Sequence, residues 1–167
     1  MRRALAWTAV VVTALLLQST AFAQVKLLGA KPELMYLVTV LLAMMEGPSS
    51  GAIGGFSAGM AQDFLLNQPK GITALTLTLV GYVVGMARQY IVTPSPLLPV
   101  LLVAGATFGG VLFYGFVAFL LGQLSGVGFL LRTALLASVY NAALTPILYP
   151  ALRRVTEASR ARKVFRW

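Results

Sequence analysis

The sequence predicts an all-α integral membrane protein, a compact bundle of about six transmembrane helices, with five as the competing number. Hydrophobic residues make up 59% of the 167 residues and charged residues only 10%, whereas an ordinary soluble domain carries about 25% charged residues. Apolar runs alternate with short segments rich in glycine, proline and charge, which is typical of successive membrane helices and their connections. We expect a single transmembrane domain over residues 1–152 and a basic cytoplasmic tail over 153–167.

The first predicted helix covers about residues 4–23, enough to cross a hydrocarbon core of roughly 30 Å at 1.5 Å per residue. Arg2 and Arg3 precede it, as expected at the cytoplasmic end of a first span. The segment also resembles a secretory signal peptide, with Ala21-Phe22-Ala23 as its cleavage site. We favour the uncleaved helix, because a multi-pass protein needs a first span with a basic flank.

The second and third predicted helices are separated by the sequence Glu-Gly-Pro-Ser-Ser at 46–50. Pro32 and Glu33 suit the first turn of the second helix, which we place at about 32–45. This helix is short, and a re-entrant segment here would leave five spans. The serines offer N-caps for a third helix at about 50–66.

The remaining boundaries follow from turn residues. Asn-Gln-Pro-Lys-Gly at 67–71 is a turn, Thr-Pro-Ser-Pro at 93–96 ends a helix, and a glycine-rich link follows residue 121. Its glycines are Gly122, Gly126 and Gly128. The fourth, fifth and sixth helices are therefore predicted at about 72–90, 97–121 and 129–152.

Basic residues predict the orientation, because they are enriched in cytoplasmic loops. With six spans and a cytoplasmic N-terminus, nine basic residues are inside and four outside. The inside group is Arg2, Arg3, Arg88, Arg153, Arg154, Arg160, Arg162, Lys163 and Arg166; the outside group is Lys26, Lys31, Lys70 and Arg132. We therefore expect both termini in the cytoplasm of a bacterial inner-membrane protein. The tail is also suited to anionic membrane lipids, with Phe165 and Trp167 as interfacial anchors.

The composition argues against most enzyme chemistry and against nucleic-acid binding. The chain has no cysteine and no histidine, which removes thiolate metal sites, the usual zinc ligands and the commonest general base. Ser57 and Ser138 have no evident activating base. The net charge of +9 is explained by membrane topology, and no nucleic-acid-binding module is recognisable. We predict no catalytic residue, no metal site and no cofactor.

Small residues recur every four positions on several helices, which allows helix backbones to approach closely. The series are Gly51, Gly55 and Gly59; Gly81 and Gly85; Gly105 and Gly109; and Ala134, Ser138 and Ala142. Such a seam serves packing within the bundle or receives the helix of a partner. The spacing favours internal packing but does not assign each seam.

Two polar residues stand out in apolar surroundings. Asp63 is expected near the outer end of the third helix, where its carboxylate would accept hydrogen bonds from amides around residues 71–73 or pair with Lys70. Partner contact and an ion or proton pathway are the alternatives. Asn141 is expected to form an interhelical hydrogen bond rather than contact a ligand.

Several motifs occur in the order typical of the rod shape-determining MreD family, which the sequence therefore resembles. The motifs are PEL at 32–34, GFSAGMAQD at 55–63, Gly71, AL at 74–75, VGYVVG at 80–85, and YNAAL at 140–144 with Pro146, Tyr149 and Arg153. From these motifs we select partner or helix-packing residues. They are Gly51, Gly55, Phe56, Gly59, Asp63, Gly71, Gly81, Gly85 and Asn141.

The resemblance implies a non-enzymatic membrane scaffold of the bacterial cell-elongation machinery. It implies an MreC-like bitopic protein as partner and, through it, the glycosyltransferase RodA and a penicillin-binding transpeptidase. Homo-oligomerisation stays open. The family is also similar in outline to the substrate-binding S components of energy-coupling-factor transporters, which gives the alternative function. That alternative is less favoured, because the first helix lacks the Ala-x-x-x-Ala pattern often used for docking to the transporter.

Overall fold

A computed structural model describes residues 2–20, 33–65, 71–91, 95, 97–123 and 126–160, with side chains from Ala6 to Glu157 within these ranges. Six α-helices and no strand occur in these ranges. The helices are α1 (Arg2–Ser19), α2 (Leu34–Glu46), α3 (Pro48–Leu65), α4 (Ile72–Tyr90), α5 (Leu98–Leu120) and α6 (Val127–Arg160). The all-helical prediction is confirmed. The proposed cleavage site at 21–23, the turn at 67–70 and the basic residues Lys26, Lys31 and Lys70 lie outside the described residues.

Helix α2 is the centre of the bundle. It packs against each of the other five helices, and ten of its 13 residues are buried. At 1.5 Å per residue it is only about 20 Å long, shorter than a hydrocarbon core of about 30 Å. Its apolar composition is therefore explained by contact with protein rather than by contact with lipid.

Three helices are long and apolar enough to cross a membrane. They are α4, α5 and α6, of which α6 qualifies over Val127–Glu157. The described residues also contain two shorter apolar helical segments, Ala6–Ser19 and Leu34–Glu46. The membrane character of the fold is thus supported by three helices, and the number of six spans stays a prediction.

The corner between α2 and α3 differs from the expectation. Helix α3 begins at Pro48, so Ser49 and Ser50 lie inside its first turn instead of capping it. Proline suits this position because its missing amide would have no partner in the first turn. Gly47 alone joins the two helices, with a φ of 92° that favours glycine. A one-residue corner therefore replaces the longer break predicted from residues 46–50.

The end of α6 was also predicted wrongly, because the helix continues past residue 152 to Arg160. The first part of the predicted tail is therefore an extension of α6. Arg153 and Glu157 form an ion pair of 2.7 Å one helical turn apart, which supports helical structure. Thr156 is buried, and its hydroxyl lies 3.5 Å from the sulfur of Met45 on α2. The extension thus packs against the bundle.

Candidate functional site

The glycines of α3 are used in packing against α4. Gly51, Gly55 and Gly59 are buried, and a β-carbon at each position would overlap atoms of α4. At Gly51, for example, the added carbon would lie 2.6 Å from the carbonyl oxygen of Gly81 and equally close to the β-carbon of Ala43. The two backbones therefore meet at a distance that side chains would prevent.

The glycines of α4 complete this seam from the other side. A β-carbon on Gly81 would overlap the carbonyl of Gly51, and one on Gly85 would overlap Pro48 at the start of α3. Five of the selected residues thus lie at one contact between adjacent helices. This contact is occupied by α4, so a partner helix has no room there.

Asp63 is fully buried at the end of α3 and is positioned as a cap for α4. Its Oδ2 accepts hydrogen bonds from the amides of Gly71, at 2.8 Å, and Ala74, at 3.2 Å. Gly71 has a φ of 100°, which glycine adopts readily. A carboxylate at this helix start also interacts favourably with the helix dipole. The selected residues Asp63 and Gly71 therefore connect the ends of α3 and α4.

Asn141 on α6 is linked through its side-chain amide to α5 and to the residue that precedes α2. Its Nδ2 donates to the backbone carbonyl of Glu33, at 2.9 Å, and to Oγ1 of Thr107 on α5, at 3.0 Å. These are interhelical hydrogen bonds of the expected kind, since Asn141 is on α6 and Glu33 precedes α2. Phe56 is different from the other selected residues, because 54% of it is exposed on the outside of α3.

A second glycine pair, on α5, has no such neighbours. Apart from the adjacent residues and backbone of α5 itself, no described atom lies within 4 Å of a β-carbon built on Gly105 or Gly109. Both glycines line a groove of about 370 Å³ between α4 and α5. The groove is almost wholly apolar, and its polar exception, Thr76, donates its hydroxyl hydrogen to the carbonyl of Ile72 at 2.8 Å. The four-residue spacing identified this pair in the sequence, but only the structure shows that it is open.

A larger groove, about 610 Å³, lies between α1 and α3. Trp7, Val12 and Ile53 line it together with polar groups such as Glu46 and Ser50. Its glycine, Gly54, is not open, because a β-carbon there would overlap the side chain of Leu42. This surface is therefore wider and more polar than the α4–α5 groove.

A polar cavity of about 280 Å³ lies at the opposite end of the bundle from the α2–α3 corner. Residues of α3, α4, α5 and α6, together with Glu33 before α2 and Tyr36 in it, line the cavity. Gln62 is among them, and its Oε1 is buried without a hydrogen-bond partner in the described part of the chain. Sequence reasoning missed this cavity because each element contributes only a few residues, which leaves no motif or periodicity.

The hydroxyl groups considered as nucleophiles are bonded within their own helices. Ser57 donates to the carbonyl of Ile53 at 2.9 Å, and Ser138 donates to that of Ala134 at 2.6 Å. The described residues contain no group of three or more acidic, histidine or cysteine side chains arranged to hold a metal ion. What these residues do show is extensive helix packing through small residues.

The fold and its small-residue contacts define a helical membrane protein with grooves between its helices. A comparison with protein families identifies it further: the family model described as rod shape-determining protein MreD matches residues 1–155. The chain belongs to the MreD family. No curated protein and no solved structure matched it. Family membership gives this membrane protein a role in the determination of rod shape.

Proposed function

We propose that the chain is a non-enzymatic scaffold of the cell-elongation machinery that binds the transmembrane helix of an MreC-like bitopic protein. Through this partner it would act with RodA and a penicillin-binding transpeptidase in lateral peptidoglycan synthesis. Its place is the inner membrane, with both termini in the cytoplasm. The observation that carries the proposal is the open pair Gly105 and Gly109 in the α4–α5 groove.

A glycine inside a helix is less favourable than alanine by about 1 kcal/mol, and the seam between α3 and α4 shows what this cost achieves, since larger residues would overlap there. At Gly105 and Gly109 the described fold gives no such reason, because a β-carbon would meet nothing. A partner helix in the groove supplies the reason, since small residues four apart allow close backbone contact in membranes.

The lining of the groove suits an apolar helix. Leu79 and Val83 of α4, which are 41% and 60% exposed, line one side of the groove, and the α5 glycines line the other. Apolar side chains of an incoming helix would pack between the walls and gain the dispersion contacts that drive helix association in lipid. The groove lies along the middle of α4 and α5, two of the helices long enough to cross a membrane.

The test is co-purification with a co-expressed MreC-like protein in mild detergent. Gly105→Leu and Gly109→Leu fill the groove and should prevent close approach, at a cost of about 1–3 kcal/mol if the effect is that of overpacking a contact. Capture should fall roughly five- to 150-fold. Both variants should remain monodisperse, because the new side chains extend into open space rather than into the bundle.

Ala143→Leu is the matched control, since Ala143 is exposed on α6 and lies outside the groove. Its partner capture should equal that of the unmodified protein. Unchanged capture by both glycine variants would show that the groove is not the docking site. If Ile53→Trp instead abolished capture, the partner helix would belong in the α1–α3 groove.

A further inference from the structure

The cavity lined by Gln62 contains a buried polar atom that the fold itself leaves unused. Only 5% of Gln62 is exposed, and its Oε1 has no hydrogen-bond partner among the described residues. Burying such an acceptor without a partner costs about 1–3 kcal/mol. A ligand that donates a hydrogen bond to this oxygen would recover that free energy.

The charge of the cavity indicates what kind of donor fits. Glu33 lines the cavity, and no lysine or arginine is among the described residues that line it. Asp63, which is buried, follows Gln62 directly at the end of α3. Glu33 and Asp63 are two of the chain's four acidic residues. The described acidic residues at this end of the bundle therefore favour a cation over an anion, and more strongly where the surroundings have a low dielectric constant.

Aromatic rings add to this preference. Tyr36 and Tyr114 both line the cavity, and the faces of such rings attract cations, particularly when the cation has lost its water. Glu33 accepts a bond of 3.3 Å from Nε2 of Gln18, but a carboxylate has about four acceptor sites in total. The site thus combines aromatic side chains with carboxylate and amide oxygens.

Other ligand classes fit less well. An anion would be repelled by Glu33 and would gain little from the helix starts, since Asp63 already caps α4. A divalent metal ion needs several oxygen ligands, whereas the described residues contain no cluster of three acidic side chains. A primary ammonium group, which has one charge and three hydrogen-bond donors, matches the acceptors and the rings.

We propose that this cavity binds a primary ammonium group, with Gln62 Oε1 and the Glu33 carboxylate as acceptors and the tyrosine rings as further contacts. The ammonium belongs either to the headgroup of phosphatidylethanolamine or to a free small amine. This site is separate from the α4–α5 groove. It therefore does not depend on the proposed partner helix.

Gln62→Leu separates binding from folding. The substitution removes the unpartnered acceptor and keeps a side chain of similar size, so the variant should be at least as thermally stable as the unmodified protein. Its apparent affinity for the ammonium should nevertheless fall about tenfold or more. Gln89→Leu is the matched control, because Gln89 is exposed at the other end of α4. Glu33→Gln should also weaken binding, while the bond from Asn141 to the backbone of Glu33 can persist.

The first measurement is thermal unfolding of the purified full chain in detergent, titrated with ethanolamine. We expect a saturable rise in the unfolding temperature. Ethylene glycol at equal concentration and ionic strength, which replaces the ammonium by a hydroxyl group, should give none. The second measurement uses nanodiscs of phosphatidylethanolamine or phosphatidylcholine, since the latter has no N–H donors.

The two arms distinguish the sources of the ammonium. Stabilisation by ethanolamine identifies a free amine as sufficient, while stabilisation by phosphatidylethanolamine alone assigns the site to the lipid headgroup. The proposal is overturned if neither probe stabilises the protein relative to its neutral or methylated counterpart. It is equally overturned if Gln62→Leu responds as strongly as the unmodified protein. Neither result bears on capture of an MreC-like partner, which is measured separately.

Discussion

At the scale of single residues, the hydrogen bonds of Asp63 explain why an acidic residue lies near the end of the apolar, glycine-rich helix α3. Its carboxylate is buried, and one oxygen accepts bonds from two amides at the start of α4. Such amides lack partners within their own helix, so a side-chain acceptor stabilises the helix start. This role needs no contact with a partner protein, because the side chain is not accessible.

We expect Asp63→Ala to destabilise the protein by about 2 kcal/mol, the upper end of the range for loss of a helix cap. Asp63→Asn keeps one acceptor oxygen and should cost less, about 1 kcal/mol. Reversible unfolding in mixed micelles measures both differences. Glu157→Ala provides the comparison, because its ion pair with Arg153 is exposed and should contribute less than 1 kcal/mol.

A measurement of partner capture can contradict the capping role of Asp63. If Asp63→Asn unfolded at the normal denaturant concentration but no longer retained an MreC-like protein, its capping bonds would not be its main contribution. A contact role transmitted through α4 would then be the better explanation of this residue's place in the family motif.

At the scale of helices, the two glycine groups separate internal packing from an open surface. The α3–α4 glycines face backbone atoms, whereas the α5 pair faces no described atom. The same four-residue spacing thus occurs both at an internal helix contact and on an open surface. It is the neighbouring helix, absent from the local sequence, that decides between them.

Alanine substitutions should change stability in opposite directions at these two places. A β-carbon on Gly55 would overlap the carbonyl of Leu77 and lie 3.0 Å from Cγ2 of Thr39, so Gly55→Ala should destabilise the protein by about 1–3 kcal/mol. Gly105→Ala meets no neighbour and should stabilise it by up to about 1 kcal/mol through helix propensity. Unfolding in mixed micelles measures both. Equal effects of the two substitutions would contradict the assignment of the seams.

The helix boundaries show what local sequence predicts. Helix α4 was predicted at 72–90 and is found at Ile72–Tyr90, because turn residues mark both of its ends. Helix α6 was predicted to end at 152, where composition changes from apolar to basic. No glycine or proline follows between 151 and 160, and the helix continues through the Arg153–Glu157 pair. The change from apolar to basic composition therefore did not mark the end of α6, and neither did Pro146 and Pro150, which lie inside the helix.

The candidate sites were less predictable than the helices. The capping bonds of Asp63 and the interhelical bonds of Asn141 were expected, since polar groups inside an apolar bundle need partners. The cavity around Gln62 was not expected. It depends on how α2 to α6 meet at one end of the bundle, and such an arrangement of helices has no signal in residue spacing.

At the scale of the whole molecule, the central position of α2 affects the number of membrane crossings. This helix is short and packs against the other five. Its apolar side chains are therefore in contact with protein whether or not the helix crosses the membrane. The three helices that follow it in sequence, α3, α4 and α5, connect Ser49 near the α2–α3 corner to Gln123 after α5. If all three cross, these two exposed residues lie on opposite sides of the membrane.

Cysteine labelling tests this membrane topology without background reaction, because the chain has no native cysteine. The predicted topology, which places nine basic residues inside and four outside, leads us to expect that Gln123→Cys reacts with an impermeant maleimide in intact spheroplasts. Ser49→Cys and Ser95→Cys should react only after permeabilisation, since two crossings separate them from each other and one separates Ser95 from Gln123. Reversal of all three results would invert the protein in the membrane. Labelling of Ser49 and Gln123 from the same side would show that one of α3, α4 and α5 does not cross, and the six-span topology would be wrong.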